Sequence, residues 1–384
     1  MTNKEAKELV KKYRDGTCTD RERAMLNAWY ISLASRETTV PTPDEIEQAL
    51  NEISSSLPLK KKHILRRLSF RSIAAAVSVI CLLSAGLYFF GKKQTVSSSY
   101  GNIYKNDVAP GGNKAVLELP DGSFVNLSQA AIGNINHEGG ALIRKTREDQ
   151  VVYQADRQAG SAETHYNVIR TPRGGQYQVV LPDGSGAWLN SASSIRFPVL
   201  FKETERKVEI TGEVYFEVVR EVRDSDTGAV SIPFVVIARD QRIEAIGTNF
   251  NVNAYPDEEV VRTTLLEGLV KISLLETPGS RLLKPGEQAL ITGQSDSIDV
   301  NPANLKCAVA WKNGQFRYEM EGIEAIMRQV ERWYDVEVIY EGEIPRKKFV
   351  GTISRNISLS KFLDILSYTG VNFKIEGRKI IVMS

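Results

Sequence analysis

Few residues in this 384-residue chain have the types and spacings that chemistry requires. Asp183-Gly184-Ser185-Gly186 comes nearest to a nucleophile turn, in which a strained corner presents a serine hydroxyl for acyl transfer. Its glycine spacing is wrong for that role. A second copy of the same turn, Asp121-Gly122-Ser123, is followed by Phe124 rather than glycine, so both read as turns. The three histidines, His63, His137 and His165, stand alone and show no metal-ligand spacing. Acidic residues, Glu258-Glu259 among them, alternate with apolar ones and read as the solvated face of a sheet. A carboxylate pair at glycosidase separation is not legible in a sequence. There is no H-E-x-x-H, P-loop, G-x-S-x-G or C-x-x-C pattern. The expectation is therefore no enzyme, no catalytic residue, no cofactor and no metal.

The elements that position these residues begin with an apolar run, Ile73 to Phe90, that no charge interrupts. At 1.5 Å per residue, roughly 18 helical residues span about 27 Å, close to the hydrocarbon thickness of a bilayer. The run is too far from Met1 to be a cleaved leader. Lys60, Lys61, Lys62, Arg66, Arg67 and Arg71 precede it, and only Lys92 and Lys93 follow closely. The positive-inside bias then places the N-terminus in the cytoplasm. Lys+Arg 49 against Asp+Glu 47 is nearly balanced, so no direct nucleic-acid partner is expected. Cys18, Cys81 and Cys307 would each lie in a different compartment, which excludes disulfides between them. A large outer part with one cysteine fits a bacterial periplasm.

Residues 1–57 read as a compact set of amphipathic helices. Leu9, Val10 and Tyr13 recur at helical spacing, and Thr19 and Glu22 have the spacing of a capping box. Met25, Leu26, Trp29, Tyr30 and Leu33 stack on one side of the next helix, and Pro43 opens a third. About fifty residues make a marginal core, so the apolar stripes suit a partner. Leu9, Tyr13, Met25, Trp29 and Tyr30 are the expected contact residues, because interfaces favour aromatic anchors. A basic juxtamembrane segment (58–72) and, beyond the span, a linker (91–109) flank the membrane run.

Beyond the linker, short alternating strands are expected over 110–300, with a core at 165–275. An internal echo marks this region: Gly111-Gly112 leading to Leu119-Pro120-Asp121-Gly122-Ser123 recurs as Gly174-Gly175 leading to Leu181-Pro182-Asp183-Gly184-Ser185. Each copy reads as a strand, a turn whose glycine accepts positive φ, and a second strand. From Lys207 onward, alternation predicts strands around Val208–Val218, Phe234–Ile237, Arg242–Ile246, Phe250–Ala254, Val260–Leu266 and Leu269–Leu274. Residues 315–384 change character, with strands interleaved by amphipathic helices at Ile323–Tyr334 and Leu359–Thr369, a β-α-β-β-α-β-type order.

These residues resemble the FecR family of membrane-spanning anti-sigma factors, in the form typical of Bacteroidetes. Tyr13 to Glu22 followed by Trp29 is similar to that family's cytoplasmic pattern. Thr171-Pro172-Arg173-Gly174-Gly175, Leu181 to Ser185, Trp188-Leu189-Asn190, Gly212 to Val218, Gly247 to Val252 and Leu266 to Val270 follow its outer signature in order. The ending resembles the small domain shared with secretins and TonB-dependent transducers. The fold class expected is multi-domain: a small all-α cytoplasmic domain, a single transmembrane helix, an all-β FecR-like domain and a C-terminal α+β domain.

The resemblance implies a single-pass protein of the bacterial inner membrane that binds an extracytoplasmic-function sigma factor inside. Outside, it would contact the signalling domain of a TonB-dependent outer-membrane transducer, and envelope proteases would release the head. The family supplies no catalytic residues. The competing expectation is a membrane-anchored periplasmic module that binds glycan or peptide without a sigma-factor partner. Its head would be a stub, with no need of capped helices or of the Trp29-Tyr30 pair.

Overall fold

Alternation along Arg206–Glu217 turns Val208, Ile210, Val214 and Phe216 to one side, and all four are buried. This strand bends at Gly212 and serves two sheets. Its first half pairs with Ser193–Pro198 and, in parallel, with Phe234–Ala238. Its second half pairs with Gly186–Leu189 and Asn249–Ala254. Gly212 has φ +78°, and a Cβ there would lie 2.4 Å from Ser193 Oγ and 2.8 Å from the Ala192 carbonyl oxygen. Only glycine accepts both the backbone geometry and the contact.

The computed structural model describes residues 107–383, except 139, 156–164, 203, 226–227 and 294–296. All of them belong to one compact unit, Gln94–Ser384. Among the described residues, nineteen strands form a sheet that curls back on itself. One layer continues from Ser193–Pro198 through Tyr166–Thr171 to Val116–Glu118, and from Phe234–Ala238 through Gln241–Ala245 to Val270–Leu274. The other continues from Gly186–Leu189 through Gly175–Val180 to Gln150–Ala155, and from Asn249–Ala254 through Val260–Glu267 to Glu287–Thr292. Both layers contribute to one core, in which Phe216 stacks on Phe250 at 5.1 Å and meets Phe234 at 5.6 Å.

The two copies of the sequence echo sit in different layers. Gly112–Asn113 runs parallel to Gly175–Gln176, after which the copies diverge. Their turns close with the same hydrogen bonds: Gly122 N–H donates to the Leu119 carbonyl at 2.9 Å, and Gly184 N–H to that of Leu181 at 2.9 Å. In each, the aspartate accepts from the serine N–H two residues on, Asp121 from Ser123 and Asp183 from Ser185.

Helix α1 (Leu305–Ala308) is capped by Asn304, whose side chain accepts from Cys307 N–H. Strand Gln315–Gly322 leads into α2 (Ile323–Tyr334), and strands Glu337–Glu341 and Lys348–Ser354 lead to α3 (Leu359–Ser367). Strands Asn372–Glu376 and Lys379–Met383 finish the chain's described part. Helix α2 buries Ile326, Met327, Val330 and Trp333, and α3 buries Leu359, Phe362, Leu363 and Leu366 against a second core. Each such fully buried side chain contributes roughly 1.5–3 kcal/mol.

The expected fold class requires correction. The described chain is predominantly β, and its helices α1 to α3 are all short. No described helix is long and apolar enough to cross a membrane. The expected all-α domain (1–57) and transmembrane helix (73–90) lie outside the described residues. The C-terminal α+β segment belongs to the same compact unit as the curled sheet rather than standing apart. Its strands form two sheets: Gln315–Gly322 with Lys348–Ser354, and Glu337–Glu341 parallel to Lys379–Met383, which pairs with Asn372–Glu376. A bulge between Glu319 and Glu321 breaks the regular register of the first pair.

Candidate functional site

The serine turn is a structural tie. Ser185 is fully buried; its Oγ donates to Asp183 Oδ2 at 2.7 Å and accepts from Val219 N–H at 3.1 Å. The same Asp183 oxygen accepts from the buried Arg206 guanidinium at 2.8 Å. No histidine is among these partners, and the carboxylate that Ser185 contacts is itself engaged by Arg206. His137 is exposed and His165 half-buried, and no cluster of three metal-ligating residues occurs among the described residues. Leu9, Tyr13, Met25, Trp29 and Tyr30, together with His63, Cys18 and Cys81, lie outside the described residues.

What the structure brings together is a polar cleft of about 260 Å³, between the outer face of the second layer and the C-terminal α/β segment. Val214 and Phe216 point inward, so Glu213 and Tyr215 point out, as do Asn251 and Asn253 beside the inward Phe250 and Val252. Such a face reads as solvated. Here residues 304–355 cover it, and Glu213, Tyr215 and Asn251 are all buried.

Two amide relays converge on Glu213. Arg355 Nη2 donates to Asn190 Oδ1 at 2.9 Å, and Asn190 Nδ2 donates to Glu213 Oε2 at 2.8 Å. Trp311 Nε1 donates to Asn251 Oδ1 at 3.2 Å, and Asn251 Nδ2 donates to Glu213 Oε1 at 3.0 Å. Each amide is thereby fixed in orientation, because flipping it would set donor against donor. Arg355 is nearly fully buried; it also donates to the Trp311 carbonyl at 3.0 Å and lies 3.7 Å over the Trp333 ring. Burial pushes its pKa down to about 10.

Burial also dominates at Glu213 and pushes its carboxyl pKa up, against the Asn251, Asn190 and Asn253 amides and the Arg332 charge. Between the ordinary carboxylate pKa and the raised one, the folded chain holds a proton that the unfolded chain releases. Glu213 therefore contributes stability at low pH that is lost as pH rises through its folded pKa. Glu213→Gln is expected to flatten the fall in melting temperature with pH above about 4.3, measured against the parent chain. Equal slopes for the two proteins would show that Glu213 does not titrate in this window.

A second contact pins helix α2. Arg332 is buried and donates to Asp257 Oδ2 at 2.7 Å and Glu258 Oε1 at 2.9 Å, with its guanidinium 4.0 Å over the Tyr255 ring. Arg328 reaches Glu258 Oε2 at 2.8 Å. Burial alone would raise the Glu258 carboxyl; the two arginine hydrogen bonds outweigh it and hold its pKa below the ordinary value. Glu258 thus departs from the solvated-face expectation, while Glu259 is exposed. Sequence spacing gives no sign of this set, since Arg332 and Glu258 are 74 residues apart. Chemically the arrangement is a lock between helix α2 and the second β layer.

Comparison with known proteins gives the following. Residues 167–271 match the family described as FecR protein, and residues 315–382 match the one described as FecR, C-terminal. Two crystal structures, each of a candidate anti-sigma factor from Parabacteroides distasonis ATCC 8503, are similar to this chain. The first has a TM-score of 0.51 at 26% identity, covering 57% of this chain and 99% of that one. The second has a TM-score of 0.50 at 26% identity, covering 56% of this chain and 97% of that one. No curated protein matches the chain.

Proposed function

We propose, from the matches to the FecR protein model at 167–271 and the FecR C-terminal model at 315–382, that this chain is a FecR-family anti-sigma factor that relays an envelope signal to transcription. The observation that carries this reading is the likeness to anti-sigma-factor structures, 99% of whose chain is covered in one case. In this reading residues 1–57 hold an extracytoplasmic-function sigma factor through Leu9, Tyr13, Met25, Trp29 and Tyr30. The unit 94–384 lies in the periplasm, with the protein anchored at the bacterial inner membrane, and receives the signalling domain of a TonB-dependent outer-membrane transducer. Envelope proteases then release the sigma-binding head. In this reading the role is regulatory, and Ser185 with Asp183 is a structural tie to Arg206.

The test is co-purification. Tagged full-length chain, expressed in its own organism, is expected to retain a small sigma factor identifiable by mass spectrometry. Joint replacement of Trp29 and Tyr30 by alanine is expected to lower recovery at least about tenfold, since aromatic anchors each contribute 2 kcal/mol or more at interfaces. Absence of any sigma factor from the correctly folded parent chain would sink the reading.

A further inference from the structure

The cleft between the second layer and the C-terminal segment carries more hydrogen-bonding groups than its two relays use. Seven of its lining residues are amides. Asn190 and Asn251 are committed to Glu213, and Asn304 caps α1 and reaches Glu319. Gln288 spends only its nitrogen, on Thr264 Oγ1 at 2.6 Å, and keeps its carbonyl oxygen. Asn253 Oδ1 is a buried acceptor with no donor among the described residues. The Gln329 amide has no partner among them either. Buried polar groups are ordinarily satisfied, so an orphaned acceptor beside a cleft points to a donor that arrives from it.

Helix α2 roofs the cleft with a second face. Ile326, Met327 and Val330 enter the core, while Ala325, Gln329 and Arg332 recur at i, i+4 and i+7 and line the cleft. Ala325 is short and leaves room below the helix. The floor is the outward face of the sheet, where Asn253 lies in register with Glu213 on one side and Arg262 on the other. Arg262, Gln288 and Gln329 are half-buried, so the cleft opens to solvent. Four arginines line it against three glutamates, and Arg332 is already spent on Asp257 and Glu258. Charge is thus nearly balanced, the free amides offer donors and acceptors together, and Trp311 and Phe316 add an apolar wall. Such a lining matches a ring whose hydroxyls both donate and accept and whose carbon face is apolar. The volume, about 260 Å³, is below the roughly 300–1,000 Å³ of clefts for drug-sized ligands. We infer that the cleft is a binding site for a small neutral polyhydroxylated ligand, a single hexose-sized sugar ring, held by Asn253 and Gln288 from the sheet and by Gln329 from α2. A ligand that touches both tightens the C-terminal segment on the sheet. The inference does not rest on the sigma-factor reading.

Full-length protein is titrated with D-glucose, D-galactose, D-mannose and N-acetyl-D-glucosamine, and separately with succinate and inorganic phosphate. Binding is read by thermal unfolding and by tryptophan fluorescence, to which Trp311 and Trp333 at the cleft contribute. At about ten times its dissociation constant, at least one sugar is expected to raise the melting temperature by about 3 °C. Gln288→Leu and Gln329→Leu keep the side-chain bulk and remove the amide. Each is expected to weaken that sugar about tenfold, the size of one unmade hydrogen bond. Ala325→Leu fills the room below α2 and is expected to abolish binding. Glu324→Gln, on the exposed side of the same helix, is expected to bind as the parent does. A shift from succinate or phosphate with none from the sugars would assign the cleft to anions and overturn the proposal. No shift from any of the four sugars overturns it too, as does a sugar shift that both glutamine variants leave intact. Should Ala325→Leu fail to fold by circular dichroism, the two glutamine variants decide. The assay contains no sigma factor, so a negative co-purification leaves its result standing, and the reverse.

Discussion

Replacing Asp183 by alanine is expected to cost the fold about 3–5 kcal/mol, the range for removing one partner of a buried ion pair. Arg206 is fully buried and the Asp183 side chain is 2% exposed. The guanidinium also donates to the Val219 carbonyl at 2.7 Å and the Ile232 carbonyl at 2.9 Å, but these are neutral acceptors. Without Asp183 the nearest carboxylate is Glu221, 3.8 Å from Nε. Ser185 Oγ would lose its acceptor in the same step. The matched change Asp121→Ala, in the exposed copy of the same turn, is expected to leave stability nearly unchanged. Denaturant unfolding followed by tryptophan fluorescence separates the two outcomes. Adding Arg206→Met to Asp183→Ala should recover much of the loss, because the penalty is an orphaned buried charge and not a missing attraction. Equal stabilities for the two aspartate variants would mean that Glu221 takes over the charge.

The contrast between these aspartates marks what a sequence can carry. Both turns were legible from Pro-Asp-Gly-Ser, and both form with the same hydrogen bonds, because turn chemistry is local. That one is buried on an arginine and the other lies in solvent depends on Arg206, 23 residues beyond Asp183. The strands after Lys207 and the helix at Ile323–Tyr334 were legible for the same local reason, alternation in one case and an amphipathic stripe in the other. The sharing of Arg206–Glu217 between layers was not, since a Gly-Glu pair does not announce φ +78°. Nor was the cleft. Glu213 alternates with Val214 and Phe216 as any solvated residue does; only its cover, supplied by Trp311 and Arg355, makes it part of a site.

That cover is expected to fail when Arg355 is replaced by methionine. The variant keeps an apolar stem over Trp333 but loses two charge-assisted bonds, to the Trp311 carbonyl at 3.0 Å and to Asn190 Oδ1 at 2.9 Å. Hydrogen bonds to charged groups contribute about 1.5–3 kcal/mol each, less the desolvation that pushes Arg355 down to about 10. A net loss of about 2–3 kcal/mol follows. It falls on the contact between the two cores, so thermal unfolding should split into an early step for the C-terminal segment and a later one for the curled sheet. Arg355→Lys should behave similarly, because a single ammonium on a flexible stem does not reproduce a planar fork across two acceptors. The relay predicts more than a loss of stability. Asn190 would be released from one side, and the Glu213 carboxyl would lose a nearby positive charge, so its pKa should rise further than burial already takes it. The melting temperature of Arg355→Met should therefore fall with pH over a wider range than that of the parent. A single transition with the parent's pH profile would mean that desolvation cancels the arginine's bonds, and that the remaining contacts, Arg328 and Arg332 with Glu258 and Trp311 with Asn251, hold the C-terminal segment on the sheet.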